Sequence, residues 1–340
     1  MLSSSALPIL GAGSGVRTAE TLSIQQISPK RPNLIAFTLT LGLTLIPPLL
    51  TPAPANACFF WQACARRLGQ ASNTRVGGKR TGLLRGGNDA TLPYVITPRH
   101  TWVGEPPDQI RWNPVAGSNR YTVRLWQWPY ERDLPSRLLW ETGVEGTNEI
   151  AFPDIALALG AYYSIEVITE DGVSSNLDEG YAYAGFQQLS VEDYEGLRSH
   201  LTTVNTHNEF SPTEEATLAQ AGVYFLDELY ANALQILEPL ALSPTASDLV
   251  YIALGDTYSE TGLTQLAMEA YEQALRIATA NNNILSEATI RVKLADVYFT
   301  LGDFDQARQL LIQAREAYTQ LDAQLEISIL DRRISVLSIL

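Results

Sequence analysis

YIALGDTYSETGLTQLAMEAYEQA, residues 251–274, is the stretch whose reading decides the fold. Within it Leu254, Gly255, Tyr258, Gly262, Ala267, Tyr271 and Ala274 are spaced as two short helices packed face to face. Stepping 34 residues back lands on Gln220, Ala221, Tyr224, Ala233 and Leu237. Stepping 40 forward lands on Leu294, Ala295, Tyr298, Gly302, Ala307, Leu311 and Ala314. A shared shift of every landmark marks stacked helical hairpins, each unable to bury its apolar face without its neighbours.

The middle copy supplies the chemistry of such a hairpin. Gly255 and Ala267 allow close approach of two helices, and Leu254 with Tyr258 faces Ala267 with Tyr271. Gly262 can take the positive φ that the turn between them needs. With Tyr251 ahead of Leu254 and Gly255, this unit resembles a tetratricopeptide repeat. The third copy has Arg291 at the place of the aromatic; the first has Gln220 for the Leu and Glu228 for the turn Gly. Thr279 and Thr319 stand where the family has a closing Pro, and Asn281, Asn282 and Asn283 lengthen the second unit.

The expected units are 214–247, 248–287 and 288–320, within a helical region 190–340 that opens on a bridging helix, Val191 to Val204. Residues 321–340 are expected to form a capping helix over the last exposed face, with Leu325, Ile329, Arg332 and Arg333 mixing apolar and basic character. The resemblance implies a superhelical array, lined inside by the first helix of each pair, that holds a segment of another protein. The lining is expected at Leu218, Gly222 and Phe225, then Ile252, Asp256 and Ser259, then Val292, Asp296 and Phe299. Asp256 and Asp296 argue against clamping an acidic C-terminal carboxylate. They favour an apolar or basic partner segment.

Residues 93–187 read differently, as short alternating runs split by turns. Ile110 and Trp112 alternate before Asn113 and Pro114, and Tyr121, Val123 and Leu125 share one strand face. Further strands are expected at Leu138–Thr142, Glu149–Phe152, Tyr162–Thr169 and Tyr181–Phe186, six or seven in all. Such spacing indicates a β-sandwich. Trp112, Tyr121 and the Leu157, Gly160, Tyr163 corner resemble a fibronectin type III domain. The resemblance implies a phenol reaching back to a backbone carbonyl. Leu159 departs from the Pro usual before the Gly, and an Ig-like sandwich with another strand order is the alternative. The fold class is therefore multidomain, an all-β sandwich followed by an α-helical solenoid.

At the N-terminus, Lys30 and Arg31 precede an apolar run, Leu34 to Leu50, which closes on Ala55, Asn56 and Ala57. This pattern predicts a signal peptide over 1–57 and export to the periplasm or cell envelope. Pro47 and Pro48 shorten the run below spanning length, although an uncleaved anchor and an organelle lumen are the alternatives. Past the cleavage point Cys58 and Cys64 are candidates for a small-loop disulfide. A lipid on Cys58, or two free thiols, are the competing states, and that lipid or the signal would be the only link to a membrane. Residues 58–92 carry six bases and Asp89 and read as a flexible basic linker.

The full chain has 340 residues, 46% of them hydrophobic, and a formal charge of −14. That sign argues against a nucleic-acid partner. His100, His200 and His207 are the only imidazoles and none neighbours a nucleophile motif. Enzymatic chemistry, cofactors and metal sites are accordingly not expected. The rival role is binding of cell-wall polysaccharide by Trp126, Trp128 and Tyr130, whose aromatic faces could stack on sugars. Against it stands burial of both indoles under the second sheet or the helical array.

Overall fold

In the computed structural model, residues 86–129, 135–180, 184–206 and 213–339 are described. The alternating stretch forms eight strands: β1 (Val95–Thr97), β2 (Thr101–Val103), β3 (Gln109–Trp112), β4 (Arg120–Trp128), β5 (Arg137–Glu145), β6 (Glu149–Ala151), β7 (Tyr162–Thr169) and β8 (Phe186–Gln188). They make a three-stranded sheet, β1-β3-β6, and a five-stranded sheet, β2-β8-β7-β4-β5. Inward residues of both sheets fill one core, centred on Ile110, Trp112, Tyr121, Val123, Leu125, Tyr163, Ile165, Val167 and Phe186. Trp112 meets Tyr121 edge to face at 5.4 Å, as their places on facing strands require.

Two features depart from the expected sandwich. β2 runs parallel to β8, so the larger sheet is mixed, whereas that sandwich is built from antiparallel sheets. At the corner, the Tyr163 phenol oxygen accepts the Ala158 N–H at 2.6 Å; the expected partner was a carbonyl. The strand expected at Tyr181–Phe186 begins only at Phe186, residues 181–183 lying outside the described residues.

The helical region follows as α1 (Val191–Thr206), α2 (Glu214–Leu226), α3 (Tyr230–Ala241), α4 (Asp248–Glu260), α5 (Thr264–Ala280), α6 (Ile284–Leu301), α7 (Phe304–Gln320) and α8 (Gln324–Leu337). Ser190 starts α1 by accepting the Asp193 N–H on its hydroxyl, and Thr213 starts α2 in the same way through Ala216. α2/α3, α4/α5 and α6/α7 are the three hairpins, with α8 in the place of a fourth first helix. The close approach expected at Gly255 is real: a Cβ there would lie 2.4 Å from the Tyr271 ring. Gly262 and Gly302 turn the second and third hairpins at φ 70° and 85°, and Glu228 takes φ 60° in the first. The Asn insertion lengthens helices on both sides. α5 and α6 reach 17 and 18 residues, and the Asn283 side chain caps α6 through Ser286 N–H at 3.2 Å.

The β region and the helices form one compact unit, joined along the turn edge of the first two hairpins. Trp102 N–H donates to Glu228 O at 3.0 Å, which gives the edge of β2 a partner, and the Thr101 hydroxyl receives Ala231 N–H at 3.2 Å. Arg99, 2% exposed, donates to Thr261 O and to Asp178 Oδ2, both at 2.8 Å. Arg111 reaches both carboxylate oxygens of Glu238 at 2.7 Å. The end of the expected linker is also fixed here: Gly86 O accepts Thr264 N–H at 3.1 Å, and Gly87 N–H donates to Asp178 at 2.8 Å. Residues 86–92 are thus part of the joint, while 58–85 lie outside the described residues.

Candidate functional site

The first helices of the hairpins, α4, α6 and α8, run side by side, and two ion pairs of identical step set their register. Asp256 accepts the Tyr271 phenol at 2.7 Å and the Lys293 ammonium at 2.6 Å. Asp296 receives Arg333 of α8 in the same manner, again 37 residues on. Burial pushes the Tyr271 phenol far up, with the Asp256 charge adding to it, so it stays a donor at any ordinary pH. Burial also raises the Asp296 carboxyl, with Arg333 acting against the rise.

This pairing changes the expected lining. Asp256 and Asp296 face bases of the next helix, so they do not present a row of bare acids. Leu218, Phe225 and Ile252, expected in an open groove, are buried in the helical core together with Gly222. The reason is local: Phe225 packs edge to face on Tyr230 at 5.4 Å, and Tyr230 is stacked by His100 of the β region at 6.2 Å. Ser259 and Val292 are half-buried. Only Phe299, 47% exposed, stands out to solvent among the apolar residues expected there.

To the Leu325, Ile329, Arg332 and Arg333 expected on the capping helix, the structure adds Leu330, Leu337 and Val336 and separates two apolar faces. α8 buries Leu330 and Leu337, with Ile327 and Ile334 packed partly beside them. A second apolar stripe, Leu325, Ile329 and Val336, points outward with Arg332. The Asp296–Arg333 pair fixes how α6 and α8 align. Val292 and Ile329 lie one turn before it, Phe299 and Val336 one turn after it. The side of α8 away from this face carries Ser328, Asp331 and Ser335, each bonded within the helix or to Arg315. Spacings of three and four around Arg332 were the available signal. Leu325, Ile329 and Arg332 were read from it; that they form a face distinct from the buried one was not, because two apolar stripes on one helix read as a single general hydrophobicity.

The aromatic cluster is partly visible. Trp126 and Trp128 lie on the outer face of the five-stranded sheet, opposite the buried side chains of Tyr121, Val123 and Leu125. On that face they point away from the second sheet. Tyr130, Cys58, Cys64 and the segment 1–57 lie outside the described residues, as do the ring of His200 and residue His207. Among the described residues, no group of three or more His, Cys, Asp or Glu could hold a metal ion, and no helix is long and apolar enough to cross a membrane.

Residues 249–281 and 288–319 match the family model of the tetratricopeptide repeat, and they coincide with α4/α5 and α6/α7. The chain therefore carries tetratricopeptide repeats, a type that generally mediates protein–protein interaction and is typically found in non-enzymatic scaffolds. Among solved structures it is similar to BtubC (BKLC) from P. vanneervenii, at 20% identity and TM-score 0.33 over 43% of this chain. It spans 60% of that chain's length. It is also similar to nearly identical TPR-like repeats of kinesin light chain type from Podosopora anserina, at 16% identity and TM-score 0.30, covering 43% of this chain and 88% of that one.

Proposed function

We propose that this chain is an exported adaptor that holds an apolar segment of a partner protein against the face formed by α6 and α8. The observation that carries the reading is that Phe299 on α6 and Ile329 and Val336 on α8 are exposed, each about one turn from the Asp296–Arg333 pair that joins the two helices. Solvent-facing apolar side chains in one contiguous row mark a surface meant to be covered. The basic character first expected of the segment loses its support, since Asp256 and Asp296 already have partners. The sequence reading of residues 1–57 places the encounter in the periplasm or envelope, and the β region, read as fibronectin-like, is the platform that fixes the first two hairpins.

Site-directed photocrosslinking in the envelope fraction tests it. A crosslinker at Phe299 and one at Val336 should trap the same protein, and one at Ile252 should trap none. Equal trapping from all three positions, or none from the first two, overturns the reading.

A further inference from the structure

The outer face of β4 and β7 carries two indoles fixed in one orientation. Trp126 donates its Nε1–H to Glu166 Oε2 at 3.2 Å, and Trp128 donates to Ser164 Oγ at 2.7 Å. The residues opposite them on β7 are Ser164 and Tyr162. Each indole therefore reaches the residue two places further along β7, so both rings lean the same way across the seam between the strands. A side chain laid across a sheet keeps one flat face on the protein and turns the other to water. Trp128 is 40% exposed, and Ser164 is buried beneath it. Their anchor points are two residues apart on one strand, about 6.8 Å.

Tyr162 completes the surface on the next strand. A Cβ at residue 185 would lie 2.0 Å from the Tyr162 hydroxyl, so Gly185 gives its phenol room to lie down along β8. Beside the rings sits a fixed polar group. Glu166 accepts from Arg124, Trp126, Ser174 and Asn176, which leaves the carboxylate in one position. Both indole N–H groups are used within the protein, so what Trp126 and Trp128 offer a ligand is their faces. Arg124 is balanced by Glu141 and Glu166, which removes any attraction for a polyanion.

Flat aromatic faces, spaced along a strand without excess positive charge beside them, suit one polymer chemistry. We propose that this face binds an uncharged polysaccharide, with Trp126, Trp128 and Tyr162 stacking on successive sugar rings while Glu166, its acceptor sites filled from within the protein, holds Trp126 in place. A protein partner would find ion pairs in place of the pockets that anchor such interfaces. This site is separate from the repeat face and stands or falls without it.

The test is depletion of the full chain from solution by microcrystalline cellulose and chitin, with indole fluorescence titration against cellohexaose and chitohexaose. Binding to at least one polymer is expected. Trp128→Ala should weaken it about tenfold, and Trp128→Phe, which keeps a ring face and loses the bond to Ser164, should retain most of it. Phe299→Ala should leave it unchanged. Absence of binding to every polymer overturns the proposal, as does undiminished binding by a folded Trp126→Ala/Trp128→Ala double variant.

Discussion

Gly255 shows how much one residue can decide. Its missing Cβ is the space into which the Tyr271 ring fits, and Tyr271 in turn holds Asp256 in place for Lys293. Gly255→Ala should therefore cost about 1–3 kcal/mol, more than its gain in helix propensity returns, as measured by urea unfolding. Arg99 is the corresponding residue of the joint. Its guanidinium is desolvated, which lowers its affinity for the proton, and the Asp178 charge acts against that fall. Arg99→Met would leave Asp178 buried with only the Gly87 N–H, at an expected cost of about 3–5 kcal/mol. The double change Arg99→Met/Asp178→Asn should recover part of that loss; additivity of the two single losses would show that the charges do not act as a pair.

Among the elements, the residues just before the second helices of the hairpins record how far the β region reaches. Leu229 and Leu263 occupy that place in the first two and are buried under the β side; Asp303 occupies it in the third and caps its own helix through Gln306 N–H at 3.0 Å. Asp303→Ala should lower stability by about 1 kcal/mol, as loss of an exposed cap does. Leu263→Asp, which puts a carboxylate into the joint, should cost several times more, and a thermal scan of the two variants gives the ratio. The hairpins themselves were legible in sequence because their apolar residues recur at a fixed shift. The burial of Leu218, Phe225 and Ile252 was not, because what covers Phe225 is Tyr230 backed by His100, a residue 125 positions away with no periodic relation to it. Local spacing tells which way a side chain points on its helix. It carries no information about which distant segment arrives on that side.

For the molecule as a whole, the joint makes the β region and the first two hairpins one cooperative body. The strands of that region were read correctly in outline, since alternation survives wherever one face is buried. The parallel pairing of β2 with β8 left no mark in the sequence, because pairing direction changes no side-chain pattern. The shared interior should be visible in alkali. Burial holds the Tyr94 phenol up to about 12 and lifts Tyr230, Tyr258 and Tyr271 further. In the unfolded chain these phenols ionise near 10, so above that pH the unfolded state binds fewer protons and stability falls. The melting temperature should be steady up to about pH 9.5 and drop steeply between 10 and 12. Absorbance at 295 nm should show the buried tyrosines ionising together with unfolding; a gradual titration without loss of structure would contradict the packing described.

The two ion pairs along the first helices hold a further consequence. Asp256 and Asp296 stand 40 residues apart, and so do Lys293 and Arg333, so each step of the ladder ends on a base that the next copy could supply again. The third hairpin is in this sense a modular insert with matching ends. Duplicating residues 288–327 would present Asp296 to a second Lys293 and the final acid to Arg333, lengthening the exposed face by one row while the β joint and the closing helix keep their seats.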